Sequence, residues 1–166
     1  MKTLYLIGGA MGVGKTAVCQ QMKALLNNSV FLDGDWCWDA NPFQVTEETK
    51  EMVLDNICHL LNNFIHCSAY QNIIFCWVMH QQEIIDKIMG KLDLSACTVK
   101  VITLVCDAQT LRQRLQKDID DGLRAADIIE RGLDRLAHCQ QLRTFKIDTS
   151  RKDIATVAKE IVFQTD

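Results

Sequence analysis

A glycine-rich segment near the start of the chain has the residue types and spacing of a phosphate-binding loop. Residues 9–16 match the pattern G-x-x-x-x-G-K-[ST], directly after an apolar strand-like run and directly before a helical pattern. Glycines allow positive φ and bring successive backbone N–H groups towards phosphate oxygens, and the helix N-terminus adds a favourable dipole. The residues expected to contact the phosphates of a nucleoside triphosphate are Gly9, Ala10, Met11, Gly12, Val13, Gly14, Lys15, Thr16 and Ala17.

The last two residues of this pattern specify its chemistry. The Lys15 side chain would place a positive charge on the β and γ phosphates, and the Thr16 hydroxyl would be offered to Mg²⁺. A glycine-rich turn with a purely structural role would not require lysine and threonine after its third glycine. The sequence therefore predicts ATP and Mg²⁺ as cofactors, with Lys15 as a catalytic residue and Thr16 as a metal ligand.

Two carboxylates, Asp33 and Asp35, follow the second strand-like run. Ligands of open α/β sheets bind at the carboxyl ends of the strands, and in an extended D-x-D segment both side chains share one face. We expect Asp33 to hold the Mg²⁺ ion through water, and Asp35 to orient an acceptor hydroxyl and accept its proton. Ordinary turn chemistry at Asp33-Gly34-Asp35 is the alternative explanation.

All seven arginines lie in the last third of the chain. On one helix, Arg124, Arg131 and Arg135 would fall within about 40° of one another. The opposite side would carry small or apolar residues, at Ala125, Ile129, Leu133 and Leu136. A cationic face closing over a triphosphate would stabilise the charge of a phosphoryl-transfer transition state, so we expect Arg124 and Arg131 to be catalytic and Arg135 to bind the nucleotide. A solvated helix with Asp127–Arg131 and Arg131–Asp134 pairs is the alternative.

The elements that must position these groups alternate between short apolar runs and longer helical patterns, which is typical of βαβ units around a parallel sheet. A helix is predicted to begin near Thr46, whose hydroxyl can cap the first turn. At 166 residues the chain has the length of one domain, covering 1–166. Five strands are predicted, at Leu4–Gly8, Val30–Asp33, Asn72–Met79, Val99–Cys106 and Phe145–Asp148.

Composition excludes several classes of protein. A net charge of −3 argues against a nucleic-acid partner, and no apolar stretch approaches the roughly 18 residues of a membrane span. The eight cysteines include no C-x-x-C pair, so we expect reduced thiols and a cytoplasmic protein. Hydrophobic residues make up 48% of the chain, which favours a globular protein with a real core.

The phosphate loop and the segment Phe31–Asp35 together resemble small P-loop kinases of the shikimate kinase, gluconate kinase and chloramphenicol phosphotransferase kind, which are similar to nucleoside monophosphate kinases. The resemblance implies an α/β P-loop NTPase fold, a three-layer sandwich whose five parallel strands have the order 2-3-1-4-5, with a helical lid at about 116–140. It implies that Asp35 contacts the acceptor and that Arg114 covers the adenine ring. By the same resemblance, residues 146–150 form the loop that reads the adenine edge.

The segment between Gly34 and His80, where this architecture places the acceptor, is poor in cations. Lys50 is its one basic residue other than histidine, against six acids. An acceptor phosphate or carboxylate would lack paired donors there, which favours a neutral or cationic acceptor. The expected substrate-binding residues are Asp35, Trp36, Trp38, Phe43 and His80, and the aromatic ones among them either form a wall of the pocket or belong to the core.

Together these features predict a kinase that moves the γ-phosphoryl group of MgATP to a hydroxyl of a small molecule. A nucleoside or nucleotide kinase is one alternative, and a P-loop NTPase acting as a switch on a protein partner is another. No membrane association is expected, and the protein is expected to be a monomer or homodimer. The identity of the acceptor and the preference for ATP over GTP stay open.

Overall fold

A parallel β-sheet with helices on both faces forms the centre of the protein, in a computed structural model that describes residues 1–164. The predicted domain 1–166 thus includes two residues outside the described part. The strand order is β2-β3-β1-β4-β5, as predicted. The strands are β1 (Lys2–Gly9), β2 (Ser29–Asp33), β3 (Asn72–Cys76), β4 (Cys97–Val105) and β5 (Phe145–Asp148). The helices are α1 (Lys15–Leu25), α2 (Glu47–His66), α3 (Gln82–Lys91), α4 (Ala108–Asp120), α5 (Ile128–Gln140) and α6 (Ile154–Gln164).

Each face of the sheet has its own apolar cluster, which makes the three-layer sandwich. Alternate residues of β1 separate to the two sides, with Leu4 and Leu6 on one and Tyr5 and Ile7 on the other. The first side is covered by α2 and α3, and the second by α1 and α6 together with parts of α4 and α5. Burial on both faces explains why the strands read as continuous apolar runs.

The third strand is shorter than predicted. It ends at Cys76 rather than Met79, because the chain turns at Trp77. The Trp77 amide still donates to the Ile7 carbonyl at 3.2 Å, but the Met79 amide donates back to the Trp77 carbonyl at 3.0 Å. Because of this turn, the segment 77–80 lies at the carboxyl edge of the sheet and does not continue the hydrogen bonds of β3.

The helix predicted near Thr46 is α2, and its first turn is capped as expected. The Thr46 hydroxyl accepts from the Thr49 amide at 3.1 Å, and the Thr49 hydroxyl accepts from the Thr46 amide at 2.8 Å. Such reciprocal capping fixes where the helix begins. It thereby also fixes the end of the loop 38–46, which carries the aromatic residues expected near the acceptor.

The prediction that one helix carries Arg124, Arg131 and Arg135 is wrong. Helix α4 ends at Asp120, Gly122 adopts a φ of 72°, and α5 begins only at Ile128. A left-handed glycine ends a helix because it redirects the backbone. Arg124 therefore lies in the loop 121–127, and so does Ala125, which was expected on the apolar side of that helix and is exposed. The buried face of α5 consists of Ile128, Gly132, Leu136 and Cys139.

Among the described residues, no helix combines the length and hydropathy needed to cross a bilayer. All eight cysteines are free thiols, and five of them are buried. The buried thiols pack as small apolar side chains, and burial raises the pKa of the Cys106 and Cys139 thiols.

A single leucine packs α4 against both the phosphate loop and α5. Leu115 is fully buried, and its two methyl groups point at Gly12 and Gly132. A Cβ on Gly132 would lie 2.6 Å from the Leu115 Cδ1 atom, and one on Gly12 would lie 2.6 Å from the Cδ2 atom. Both positions require glycine if Leu115 is to hold α5 close to the loop.

We predict that Gly132→Ala destabilises the protein by about 1–3 kcal/mol, because overpacking outweighs the higher helix propensity of alanine. The matched control is Gly90→Ala in α3, where an added Cβ meets no atom within 4 Å. That variant should be stabilised by about 0.5–1 kcal/mol. Urea unfolding midpoints measure both, and a gain in stability for both variants would contradict the role given to Leu115.

Candidate functional site

The phosphate loop connects β1 to α1 through glycines that no other residue could replace without strain. A Cβ on Gly9 would lie 2.8 Å from the Leu104 carbonyl oxygen, and Gly12 and Gly14 have φ values of 80° and 102°. Gly14 is the N-cap of α1, so the first amides of this helix, which lack intrahelical partners, face the cavity next to the loop. Amides arranged in this way form a concave anion site.

Lys15 lies half-buried at the centre of this concave site. Its Nζ donates to the Ala10 carbonyl at 2.9 Å. Desolvation lowers the pKa of Lys15, against the opposing effect of Cys76 and the nearby carboxylate of Asp35. A bound polyanion would restore the favourable environment of the ammonium group, so the structure suits Lys15 to its predicted contact with phosphate.

The carboxylate of Asp33, at the end of β2, binds two neighbouring segments. Its Oδ2 accepts from the Thr16 hydroxyl at 2.8 Å, and its Oδ1 accepts from the Asp35 amide at 3.0 Å. The second bond caps a 3₁₀ turn over Gly34–Cys37. The prediction that Asp33-Gly34-Asp35 is extended is therefore wrong. The Asp35 side chain still reaches the same cavity as Asp33, but from the turn rather than from the strand.

Trp77 holds the side chain of Asp35 in place. The indole Nε1 donates to the Asp35 Oδ1 at 3.2 Å. The indole lies directly over Gly34, where a Cβ would be 2.5 Å from the Trp77 Cγ. Desolvation, helped by the charge of Asp33, raises the pKa of Asp35, and the bond from Trp77 opposes this shift. A carboxyl group with a raised pKa is better matched to accept a proton near neutral pH.

A first cavity, of about 480 Å³, extends along the phosphate loop. Arg114 lines it and is fixed by bonds to the Thr149 hydroxyl at 3.0 Å and the Thr149 carbonyl at 2.9 Å. This places Arg114 and the loop after β5 together, where the resemblance expects the adenine. Met11, Gly12, Val13, Gly14, Lys15, Thr16 and Ala17 line the cavity, whereas Gly9 and Ala10 lie beneath its wall.

The second cavity, of about 980 Å³, lies between the loop 38–46, α3 and α5. Trp38, Phe43 and His80 line it as predicted. Trp36 does not: its ring packs edge-on against Phe31 at a centroid distance of 5.3 Å. Trp36 belongs to the 3₁₀ turn and is 58% exposed.

Arg131 and Arg135 line the second cavity, together with Met11 of the phosphate loop, and do not line the first. Their expected contact with the nucleotide stays a prediction. Arg131 pairs with Asp127 at 3.3 Å, as one alternative expected, but Asp134 pairs with Arg135 at 3.0 Å. Desolvation, together with the charge of Arg135, lowers the pKa of His80, which favours a neutral imidazole.

The two cavities meet at a shared wall, and this junction contains both an acidic and a basic side chain. Arg124 reaches the junction from the loop 121–127, and its Nε pairs with Asp118 at 3.0 Å. Asp35 is the carboxylate at the junction, so a group entering from either side can approach it. The residues common to both walls are Met11, Asp35, Trp77, Val78 and Arg124.

Sequence reasoning missed several groups at these cavities, among them Trp77, Lys87 and Leu123. Trp77 directly follows the third strand, so its position at a strand end could have indicated a site residue. Lys87 and Leu123 lie in segments whose relation to the second cavity is visible only after folding.

The donors near the phosphate loop suit a magnesium ion that is carried by phosphates. The Thr16 hydroxyl and the Asp33 carboxylate are hard oxygen ligands, which Mg²⁺ prefers. Within the described residues, no group of three or more His, Cys, Asp or Glu side chains could hold a metal ion by itself. Nucleotide phosphates would therefore supply the other ligands, as is usual for Mg²⁺ in such sites.

The family model described as AAA domain matches residues 6–130, which include the phosphate loop, Asp35 and Arg124. No curated protein matches the sequence.

Solved structures share the fold over nearly the whole chain. The Deinococcus radiodurans tunicamycin resistance protein is 20% identical, with a TM-score of 0.76 over 99% of this chain and 95% of that one. A gluconokinase from Sinorhizobium meliloti 1021 is 15% identical, with a TM-score of 0.70 over 95% and 88%. The Acinetobacter baumannii shikimate kinase in complex with shikimate is 18% identical, with a TM-score of 0.61 over 98% and 91%. The resemblance to P-loop small-molecule kinases is confirmed at the level of the fold.

We predict that Lys15→Ala weakens the binding of MgATP by at least about tenfold, because charge-assisted contacts to phosphate are lost. The matched control is Lys23→Ala in the last turn of the same helix, which should bind as the wild type does. Isothermal titration calorimetry measures the affinities. Equal affinity of the two variants would contradict the role of Lys15, and no heat from the wild type with ATP or GTP would contradict the nucleotide site itself.

Proposed function

The chain belongs to the AAA domain family, and from that premise we propose that it is an ATP-dependent phosphotransferase. It would move the γ-phosphoryl group of MgATP to a hydroxyl of a small neutral or cationic molecule. The observation that carries this proposal is the position of Asp35, on the wall shared by the phosphate-loop cavity and the second cavity. A kinase acting on a small molecule requires a base at such a junction.

Each residue at the junction has a distinct part in the proposed reaction. The loop amides and Lys15 hold the phosphates, and Mg²⁺, next to Thr16 and Asp33, would neutralise their charge. Asp35 orients the acceptor hydroxyl and takes its proton as the new oxygen–phosphorus bond forms. The bond between the γ-phosphorus and the bridging oxygen breaks, leaving ADP. Arg124 faces the junction, where its charge would stabilise the transition state.

The charges around the second cavity support an uncharged acceptor, for a different reason from the one that the sequence suggested. Folding adds Lys87, Arg124, Arg131 and Arg135 to Lys50 on this wall, so cations are not scarce. Four of these five are already paired with carboxylates, at distances of 2.8 to 3.3 Å. An anionic acceptor would have to compete with these pairs, whereas an uncharged one leaves them intact.

The nucleoside or nucleotide kinase and the protein-directed switch make different predictions about what stimulates ADP release. A nucleotide acceptor requires cations for its phosphate, and the described wall offers only Lys87 without an ion pair. A switch requires stimulation by a protein and by no small molecule. A screen of ADP release over alcohols, polyols, amino sugars, nucleosides and nucleoside monophosphates separates all three.

We predict that Asp35→Asn lowers kcat by about 10²–10⁴-fold, since an amide cannot accept the acceptor proton. Affinity for MgATP, measured by calorimetry, should change little because Asp35 does not hold the phosphates. Asp39→Asn, which replaces an exposed carboxylate four residues later, is the control and should retain its activity. Unchanged acceptor turnover in the Asp35 variant would reject the role of this residue.

A second prediction concerns the positioning of Asp35 by Trp77. Turnover should fall as pH decreases through the raised pKa of Asp35, because the protonated carboxyl cannot act as a base. Trp77→Phe removes the hydrogen bond that favours the carboxylate, so the acid limb of the kcat/KM profile should move to higher pH. A variant that loses activity equally at every pH would show that Trp77 only supports the local packing.

A further inference from the structure

We propose that the acceptor of this site is an amphipathic hydroxyl compound with a large apolar portion, not a polyol or a sugar acid. The inference rests on the phosphotransferase function proposed above, and it concerns the second cavity alone.

Exposed apolar side chains surround the mouth of the second cavity. Phe43 and Val45 are each 58% exposed on the loop 38–46, and Leu123 is 72% exposed on the loop 121–127. All three belong to the cavity wall, on two loops that the chain brings together from far apart. Grouped apolar side chains left open to water at a cavity typically mark a ligand site, because covering them is favourable.

The apolar surface continues from the mouth into the cavity. The Trp38 and Phe43 rings pack with centroids 4.7 Å apart, tilted by 45°. Leu54 of α2, Ile84 of α3 and Ile128 of α5 extend the same wall from three helices. Apolar groups thus line a path towards Trp77 at the junction, and burying an apolar body along this path supplies binding energy.

Uncharged hydrogen-bonding side chains are scarce on this wall. In the described lining they are His80, Gln81 and the indole N–H groups of Trp38 and Trp77, and Trp77 already donates to Asp35. The other polar residues of the lining carry charge, and most of its cations pair with carboxylates. A polyol loses several hydrogen bonds to water on entering a site and requires a partner for each hydroxyl. The ion pairs on this wall leave some donor and acceptor atoms open, so it can hold the polar end of a ligand while its apolar side chains cover the rest.

The size and position of the cavity indicate a small molecule as its occupant. Its volume of about 980 Å³ is large for a binding cavity. Drug-sized ligands occupy cavities of roughly 300–1,000 Å³. Because the cavity ends at Asp35, the occupant must present a hydroxyl there while its apolar part covers Phe43, Val45 and Leu123. A molecule with both a hydroxyl end and an apolar part would contact the polar and the apolar residues of this wall.

The first test measures binding without catalysis. N-phenyl-1-naphthylamine, an uncharged apolar fluorophore, is titrated into the wild type and a Phe43→Ser/Leu123→Ser variant. Phe163→Ser is the control, since Phe163 is 67% exposed on α6 and lines neither cavity. We expect saturable binding to the wild type and the control, weakened at least about tenfold in the double variant. An unchanged affinity for MgATP confirms that this variant is folded.

The second test measures ADP release with alcohols that share a three-carbon primary hydroxyl end. Propane-1,3-diol, 3-phenylpropan-1-ol and 3-(2-naphthyl)propan-1-ol are compared with glycerol, sorbitol and gluconate. We expect kcat/KM to rise at least about tenfold from the diol to the aryl alcohols and to fall back in the double variant. The aryl alcohols should also displace the fluorophore, whether or not they are phosphorylated.

The outcomes separate this inference from the function on which it rests. Absent fluorophore binding, equal binding by the double variant, or failure of the aryl alcohols to displace the fluorophore would overturn the amphipathic acceptor. So would turnover of the polyols or gluconate equal to that of the aryl alcohols. A different result is that the fluorophore binds in a way that depends on Phe43 and Leu123 while no hydroxyl compound raises ADP release above the rate of the Lys15→Ala variant. That result would instead reject the phosphotransferase function.

Discussion

The carboxylate of Asp33 is the interaction on which the geometry of the site depends. One oxygen accepts from the hydroxyl of Thr16 in the phosphate loop, and the other accepts from the amide of Asp35. A single side chain thereby fixes the distance between the segment that holds phosphate and the carboxylate proposed to act as base. Asp33 is buried at the carboxyl end of β2, an edge strand that pairs along its length with β3, so the sheet itself determines this distance.

The rest of the site follows from that arrangement. The 3₁₀ turn that Asp33 caps presents Asp35 at the boundary between the two cavities, and Gly34 within the turn leaves room for the indole of Trp77. Trp77 in turn donates to Asp35. Two hydrogen bonds and one close approach therefore position a carboxylate whose pKa is raised by desolvation. Such fixed geometry, rather than flexibility, is what a proton transfer to a single carboxylate requires.

The cavity beyond Asp35 is built differently from the phosphate loop. Backbone amides and one lysine form the anion site, so its chemistry is fixed by a short continuous segment. The second cavity is assembled from three helices and several separate loops, and its wall combines paired charges with exposed apolar groups. This contrast explains why related folds can share one nucleotide site and yet differ in the acceptor they take.

Much of this protein could be read from its residue pattern, for physical reasons. The strand order follows from the resemblance, the strands follow from apolar runs buried on both faces, and the phosphate loop follows from eight contiguous residues. Thr46 capped its helix as predicted, since capping is local. Features formed by neighbouring residues, such as glycine turns and the start of a helix, are encoded within a few residues of sequence.

Folding alone decided which distant side chains share a wall. One left-handed residue, Gly122, separated Arg124 from Arg131 and moved the latter to the second cavity. Trp36 lies in a 3₁₀ turn and lines neither cavity, whereas β3 ends early enough for Trp77 to lie on the wall that the two cavities share. The count of cations between 34 and 80 did not give the charge of the second cavity, because four of the five cations on its wall come from outside that segment. Proximity across a cavity is a property of tertiary packing, which residue spacing along the chain does not contain.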